Sequence, residues 1–359
     1  MSDFALIIHE RKSDHVRRVL KDKQFWGVLI AVTLLGFSFK EIRWADLTSL
    51  SHRFNFWYVI PVVFLGVLLV ISRAVRWQGL VRGAKHIPLR RVIPLYAAGQ
   101  VLNTVMPALT GQVGRVILFS RKEKLKKTVV FSTFLMELVF DAITLLIFMG
   151  LTSFAFAFPN KYRPASYALG VVCILAFAIL YGFLVFKEPI GRFGKKHIRH
   201  RWRGFYITVK KFSHSFATGV TALKSSTRMA TSLSLSILGW ILHGAMVYLL
   251  FQAFGFDLPF AASFVILVIN TLLLMIPITP GNAGTFEIIV ITALKWFGIN
   301  RTDAALYAIA LHILDVLPIF AVAAFYMRAQ HVSLRQLTAQ NAEISADERP
   351  VLATAKEGR

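Results

Sequence analysis

Cysteine and acidic residues are both scarce in this chain, and each shortage excludes a class of protein. The single cysteine, Cys173, lies inside an apolar run, so the sequence predicts neither a disulfide framework nor a cysteine metal cluster. Only 18 Asp and Glu stand against 41 Lys and Arg, which gives a formal net charge of +23. Charged residues total 16%, whereas soluble domains carry roughly 25%. These figures argue against a soluble domain.

Catalytic motifs are also absent. The chain contains no G-x-S-x-G, H-E-x-x-H or Walker sequence and no Asp-rich metal pattern. The basic stretch 187–228 is too short to form a catalytic or ATP-hydrolysing domain. We therefore predict that the protein is not an enzyme and that it binds no cofactor and no metal.

Apolar residues are abundant instead. They make up 56% of the 359 residues and include 31 Phe, and the mean hydropathy is +0.61. Several windows approach the roughly 20 apolar residues that cross a hydrocarbon core. The sequence predicts an all-α polytopic membrane protein, and its six spans cover residues 25–39, 56–71, 128–158, 165–186, 229–254 and 304–327.

The basic residues predict the topology. Four basic stretches together hold 28 Lys and Arg: 1–24, 73–91, 121–127 and 187–228. The four stretches between the other span ends hold only 7, and these are 40–55, 159–164, 255–259 and 295–302. Basic loops are cytoplasmic, so we expect both termini inside, with a polar, disordered tail at 330–359. The basic residues lie next to the predicted spans and are not gathered in one soluble domain, which disfavours nucleic-acid binding. Attraction to anionic lipid headgroups stays compatible with this topology.

Two stretches, 92–120 and 260–297, are apolar but broken at the centre. The breaks, MPALTGQVGR (Met106–Arg115) and IPITPGNAGT (Ile276–Thr285), share the pattern P-x-x-x-G-x-x-G. Both flanks of 92–120 are expected inside and both flanks of 260–297 outside. We therefore predict two opposed re-entrant helical hairpins. The halves 25–158 and 165–327 would form an inverted-topology repeat, as in secondary transporters whose broken helices meet at the substrate.

The breaks supply most candidate binding residues. A helix that begins after Gly111 or Gly281 would direct free N–H groups at an anion. Arg115 would add positive charge there, or would instead reach the interface or pair with Glu137. The predicted substrate-binding residues are Asn103, Pro107, Gly111, Gly114, Arg115, Pro280, Gly281, Asn282, Gly284 and Glu287.

Charged residues inside spans are functional candidates because they are costly in lipid. Glu287 would serve proton coupling or amine recognition, or would balance a helix dipole near an Asn282 cap. Glu137 and Asp141 share one helical face, as do His312 and Asp315. Each pair would be a proton relay, a counter-charge for Arg115 or a structural network. Asn103 and Asn270 are expected to hydrogen-bond backbone freed by the breaks, and His243 is assigned no role.

Three motifs together resemble a known family. They are N-x-x-x-P-x-x-x-G-x-x-x-R (Asn103 to Arg115), E-x-x-x-D (Glu137 to Asp141) and T-P-G-x-x-G-x-x-E (Thr279 to Glu287). This order resembles the flippase-like transmembrane region of lysylphosphatidylglycerol synthases, over roughly residues 20–330. The family often has Arg where Leu109 stands and Glu where Gln112 stands, which suggests a different headgroup or a weakened pathway.

The resemblance implies that the protein handles lipids. Family members are associated with moving or handling lipids: aminoacylated phosphatidylglycerol in the fused enzymes, and polyprenyl-linked sugars or hopanoids in some stand-alone relatives. This chain lacks the soluble synthase domain, so we expect a stand-alone inner-membrane protein that moves an anionic phospholipid or lipid-linked headgroup between leaflets. Two alternatives stay open: a non-catalytic partner of a lipid-modifying transferase, and a small-solute transporter. A lateral opening between spans would favour a lipid substrate.

Overall fold

The computed structural model describes residues 32–36, 54–105, 110–155, 171, 174–175, 226–274 and 279–329. The part of the chain within these ranges is helical and contains no strand. Several predicted features lie outside the described residues: the segment 1–24, most of the spans 25–39 and 165–186, the basic stretch up to residue 225, the tail 330–359, and Leu109 and both motif prolines, Pro107 and Pro277.

Eight longer helices form the described body. A 3-10 turn, Phe56–Tyr58, leads into the first of them, and a second 3-10 turn, Pro280–Asn282, precedes the seventh. The helices are α1 (Val59–Val81), α2 (Leu89–Val105), α3 (Thr110–Glu123), α4 (Lys127–Ala155), α5 (Ser226–Phe254), α6 (Phe260–Leu273), α7 (Thr285–Trp296) and α8 (Arg301–Ala329).

Within the part of the chain that the structure describes, four stretches are long and apolar enough to cross a membrane, so this is a multi-pass membrane protein. They are Phe56–Val81, Lys127–Thr152, Thr227–Phe254 and Arg301–Phe325. The span predicted to end at Ile71 continues to Val81. Arg73 and Arg76, which the sequence placed in a basic loop, therefore lie inside α1. The helix tolerates Arg76 because this side chain is buried against carboxylates of α4.

The remaining helices are too short to cross. α2 and α3, the first helix pair, have 17 and 14 residues, and α6 and α7, the second helix pair, have 14 and 12. At 1.5 Å per residue even the longest is about 26 Å, short of a hydrocarbon core of about 30 Å. The members of each pair contact each other. Each pair is interrupted at one of the two proline–glycine motifs, but its entry and exit on one side stays a prediction.

The helices after the breaks begin a few residues away from the predicted positions. α3 begins at Thr110, so Arg115 lies in its second turn and not its first. α7 begins at Thr285, because Pro280–Asn282 forms a separate 3-10 turn in which Gly281 has a positive φ. Glu287 lies in the first turn of α7, a position in which a carboxylate balances the helix dipole.

α8 organises the core, because it packs against α1, α2, α5 and α7. The contact with α1 depends on a small residue, since a Cβ on Gly66 would lie 2.4 Å from Cγ of Pro318. Against α5, the buried Tyr307 donates a hydrogen bond to the Val247 carbonyl at 2.9 Å. Residues of α8 therefore lie where they can contact both helix pairs.

The two helix pairs meet at their broken ends. The turn Pro280–Asn282 packs against α2, and a Cβ on Gly281 would lie 3.3 Å from the carbonyl oxygen of Thr104. Thr104 is one residue from the end of α2. The interruption of the second pair therefore lies directly against the interrupted end of the first, beside α8.

Candidate functional site

A cavity of about 470 Å³ lies where the two helix pairs meet α8. Its polar wall consists of Thr104 from α2, Gly281 from the turn, Glu287 from α7 and His312 from α8. The rest of the lining is mostly aliphatic and comes largely from α8, including Ile309, Val316 and Leu317. A mainly apolar cavity with a few converging polar groups is the usual form of a ligand site.

The carboxylate of Glu287 closes the N-terminus of α7. Its Oε2 accepts a hydrogen bond from the Gly284 N–H at 2.6 Å, and Gly284, with φ of +83°, is the N-cap residue. The predicted cap by Asn282 is therefore wrong. Asn282 lies in the turn before the helix, where its carbonyl accepts a hydrogen bond from the Thr285 hydroxyl at 2.8 Å. The helix N-terminus that could receive an anion is occupied by the protein's own carboxylate.

His312 joins this carboxylate to the turn. Its Nδ1 lies 2.7 Å from Oε1 of Glu287, and its Nε2 lies 3.0 Å from the Gly281 carbonyl oxygen. The ring also stacks on Phe286 with centroids 4.4 Å apart. A carbonyl oxygen only accepts, so Nε2 carries a hydrogen. Two unprotonated acceptors would repel at 2.7 Å, so the contact between Nδ1 and Glu287 must contain a second proton. The contact fits a hydrogen bond whose proton lies on Nδ1 of His312 or on Oε1 of Glu287.

Asp315 does not join His312 but binds a different helix. Nε2 of His243, on α5, lies 3.1 and 3.2 Å from the two carboxylate oxygens of Asp315. His243 was assigned no role from the sequence, although a polar residue in an apolar span usually has a polar partner. His312 and Asp315, which were predicted as a pair, therefore make separate contacts. His312 faces the cavity, and Asp315 connects α5 to α8.

A second polar group, the arginine cluster, consists of Arg76, Arg115, Glu137 and Asp141. Arg76 contacts Asp141 with both terminal nitrogens, one of them at 3.0 Å. Arg115 donates to Oε2 of Glu137 at 2.5 Å, and Arg76 lies 3.8 Å from the other oxygen of Glu137. Two cations and two carboxylates make the cluster neutral, and Arg76, Arg115 and Glu137 are buried. The cluster joins α1 and α3 to α4.

The position of Arg115 distinguishes between its predicted alternatives. It pairs with Glu137 and lies over the Tyr96 ring at 4.7 Å, with only 6% of the residue exposed. It does not line the cavity. Arg76 was missed because it belongs to a run of basic residues, yet Trp77 and Leu80 after it continue the apolar pattern and could have extended the helix.

The other predicted residues lie mainly at the helix ends. Gly111 packs against α2, where a Cβ would lie 2.6 Å from Cα of Asn103, and Gly114 is buried. Pro280 is half-buried beside the cavity wall. The side-chain oxygen of Asn270 is buried without a hydrogen-bond partner among the described residues. Contact of any of these residues with a substrate stays a prediction.

Comparison with known proteins gives one family. The family model described as the lysylphosphatidylglycerol synthase TM region matches residues 24–323, which confirms the resemblance. A UPF0104 membrane protein of Methanocaldococcus jannaschii is 25% identical over 236 residues, covering 64% of this chain and 95% of the relative. Those of Methanothermobacter thermautotrophicus and Pyrococcus horikoshii are both 22% identical, over 301 and 307 residues, covering 80% and 79% of this chain and 89% and 90% of the relatives.

Proposed function

This chain belongs to the family of the lysylphosphatidylglycerol synthase TM region, and from that premise we propose that it moves a lipid between the two leaflets of the plasma membrane. The headgroup would pass through the cavity at the broken helix ends while the hydrocarbon chains stay in the bilayer. In this proposal the protein performs no catalysis of its own. The partner that we propose is a transferase that builds or consumes the lipid.

The observation that carries the proposal is the side opening of the cavity. Ile313 and Leu317 both line the cavity, yet they are 57% and 45% exposed on α8. Apolar residues exposed on a membrane-spanning helix face hydrocarbon. A cavity bordered by such residues is accessible to a lipid from the side. A small-solute transporter needs walls that separate its substrate from lipid, so this opening favours the lipid substrate.

The arrangement that we propose in the membrane has six spans and two opposed re-entrant hairpins, formed by 92–120 and 260–297, in an inverted repeat with both termini in the cytoplasm. The meeting of the two interrupted helix pairs beside one cavity supports it, because opposed hairpins would bring their tips together near the midplane. A cysteine introduced near residue 124 should then react with an impermeant reagent from the cytoplasmic side alone.

The proposed substrate is an anionic phospholipid or an anionic lipid-linked headgroup of the polyprenyl or hopanoid type. Within the cavity His312 is the residue able to carry positive charge toward a phosphate. The guanidinium of Arg115 is held by Glu137 and lies outside the lining. Its part in this proposal is to fix α3 against α4, and direct contact with a headgroup would require that pair to open.

The test is a leaflet-resolved lipid assay in proteoliposomes. Fluorescent phosphatidylglycerol and phosphatidylcholine are each placed in both leaflets, and dithionite then bleaches the label that reaches the outer surface. We expect the purified protein to make inner-leaflet phosphatidylglycerol accessible, with little effect on phosphatidylcholine, relative to protein-free vesicles. Failure to move any anionic lipid, including polyprenyl phosphates, would contradict the proposed function.

A further inference from the structure

We propose that the Glu287–His312 pair couples lipid movement to protons, so that one anionic headgroup enters the cavity together with one proton. This inference rests on the proposed function and adds an energy source to it. Glu287 and His312, the cavity pair, are the only charged residues that the proposal involves, because the cations of the arginine cluster already have carboxylate partners.

The cavity is electrically neutral before a headgroup enters. His312 donates through Nε2 to Gly281 and shares a proton with Glu287 through Nδ1. Imidazolium and carboxylate then sum to zero, and Glu287 is 4% exposed. A phosphate that entered this neutral, poorly hydrated site would be an uncompensated charge, which is strongly unfavourable.

A proton exchange removes this penalty. A proton from the aqueous side binds to Oε1 of Glu287 and makes the carboxyl group neutral. The Nδ1–H of His312 is thereby released from Glu287 and donates to a phosphate oxygen, while Nε2–H stays on Gly281. The site gains one proton and one negative charge and remains neutral. When the headgroup leaves toward the other leaflet, the proton leaves with it and the contact between the two residues forms again.

The surroundings of His312 allow this exchange. The charged groups that act on it are Glu287 of α7 and Asp315 of its own helix, and Asp315 is already bound by His243 of α5. From α2 the cavity is faced by the uncharged Thr104, and α1 meets α8 through Gly66. The charge of the cavity therefore depends chiefly on the proton between Glu287 and His312.

The experiment measures the leaflet distribution of fluorescent phosphatidylglycerol in proteoliposomes that carry a pH gradient. With one proton per lipid, one pH unit of gradient is worth 1.4 kcal/mol, so the distribution should shift toward the alkaline side by up to about tenfold. Phosphatidylcholine should show no shift, and protein-free vesicles provide the background for both lipids. Soluble glycerol phosphate in the same gradient should not accumulate; its accumulation in place of the lipid would overturn the assignment to a lipid headgroup.

The variant Glu287→Gln tests whether the carboxylate takes part in the exchange. Glutamine cannot take up the proton, and its amide N–H would donate to Nδ1 of a neutral His312 and leave no N–H for the phosphate, so we expect the gradient-driven shift of phosphatidylglycerol to be largely lost. Asp257→Asn makes the same chemical change in an exposed position before α6 and should behave like the wild type. Melting temperature verifies folding, and a pH indicator independently measures proton uptake when wild-type protein meets phosphatidylglycerol.

The possible failures are distinguishable. Wild-type protein that moves phosphatidylglycerol with no response to the gradient and no proton uptake would refute the coupling and leave the proposed function standing. A gradient response of Glu287→Gln equal to that of the wild type would refute the role of this pair. If no lipid moves under any condition, both proposals are wrong.

Discussion

Replacing Arg115 with methionine tests whether the arginine cluster is a structural unit. The side chain of Arg115 is 8% exposed and that of Glu137 is 4% exposed, so the substitution leaves a buried carboxylate without its main partner. Methionine keeps much of the aliphatic volume against Phe119, so the change is chiefly one of charge. Removing one member of a buried ion pair costs about 3–5 kcal/mol.

The geometry places the expected loss at the lower end of that range. Arg76 remains 3.8 Å from Glu137 and would compensate part of its charge, so we expect Arg115→Met to cost about 3 kcal/mol. Glu137→Met should cost a similar amount, because Arg115 would retain the Tyr96 ring at 4.7 Å, a contact worth about 2 kcal/mol when desolvated. The double variant removes both charges and leaves Arg76 paired with Asp141. It should be more stable than either single variant.

The measurement is the apparent melting temperature in detergent at one scan rate, followed by tryptophan fluorescence. At about 2 °C for each kcal/mol in a chain of this size, each single variant should melt about 6 °C below the wild type. Arg121→Met is the matched control, because Arg121 lies on the same helix but is exposed. Its expected change in melting temperature is small, as for most surface substitutions.

Additive losses of stability would contradict a stabilising contact between Arg115 and Glu137. If the double variant loses as much stability as the two single variants together, Arg115 and Glu137 do not stabilise each other. A melting temperature for Arg115→Met equal to that of Arg121→Met would show that the charge of Arg115 is not buried. Either result would return Arg115 to the cavity as a candidate headgroup ligand.

Two further predictions concern the helix ends and the cavity opening. Gly111→Ala places a Cβ 2.6 Å from Cα of Asn103 and should lower the stability by about 1–3 kcal/mol. The control is Gly79→Ala, where no atom lies within 4 Å of the added Cβ, and its melting temperature should be equal to that of the wild type or higher. Equal losses of stability in the two variants would contradict the close contact at Gly111. Leu317→Trp fills the side opening of the cavity and should slow phosphatidylglycerol movement several-fold. The control is Leu138→Trp, at a residue that is 50% exposed on α4 and away from the cavity lining, and it should not slow the movement. Equal rates in the two variants would contradict entry of the lipid beside α8.

The positions of the helices follow largely from hydropathy and from the two proline–glycine motifs. Apolar length identifies membrane helices, since every backbone polar group must be satisfied within the lipid. The same rule fails at the end of α1. The sequence pattern predicts a loop at Arg76, because a lone guanidinium in lipid has a high free-energy cost. In the structure Asp141 and Ser236, on other helices, accept hydrogen bonds from Arg76 and offset that cost. Such partners are far apart in sequence and have no local signal.

Some residues of the candidate site, such as Gly281, Glu287 and His312, were predictable from the sequence, but their pairs were not. Helical spacing correctly placed Glu137 with Asp141 and His312 with Asp315 on shared faces. It could not show that His312 turns to Glu287 while Asp315 turns to His243. Pairing across helices depends on the rotation and depth of each helix, which are set by contacts such as Gly66 against Pro318. A sequence pattern describes one helix at a time and lacks that information.

The separation of the two charged groups has a consequence for selectivity. In the arginine cluster two guanidinium groups face two carboxylates, so their charges cancel and contribute little net charge to the cavity. Among the described residues, each member of the cavity pair has the other as its ionisable hydrogen-bond partner, and one proton lies between them in the proposed mechanism. In the proposed mechanism the affinity for an anionic headgroup is therefore set by the local proton concentration and not by a fixed cation. Loss of Arg115 should accordingly weaken the fold before it changes which lipid moves, and loss of the Glu287 carboxylate should remove the pH response before it weakens the fold.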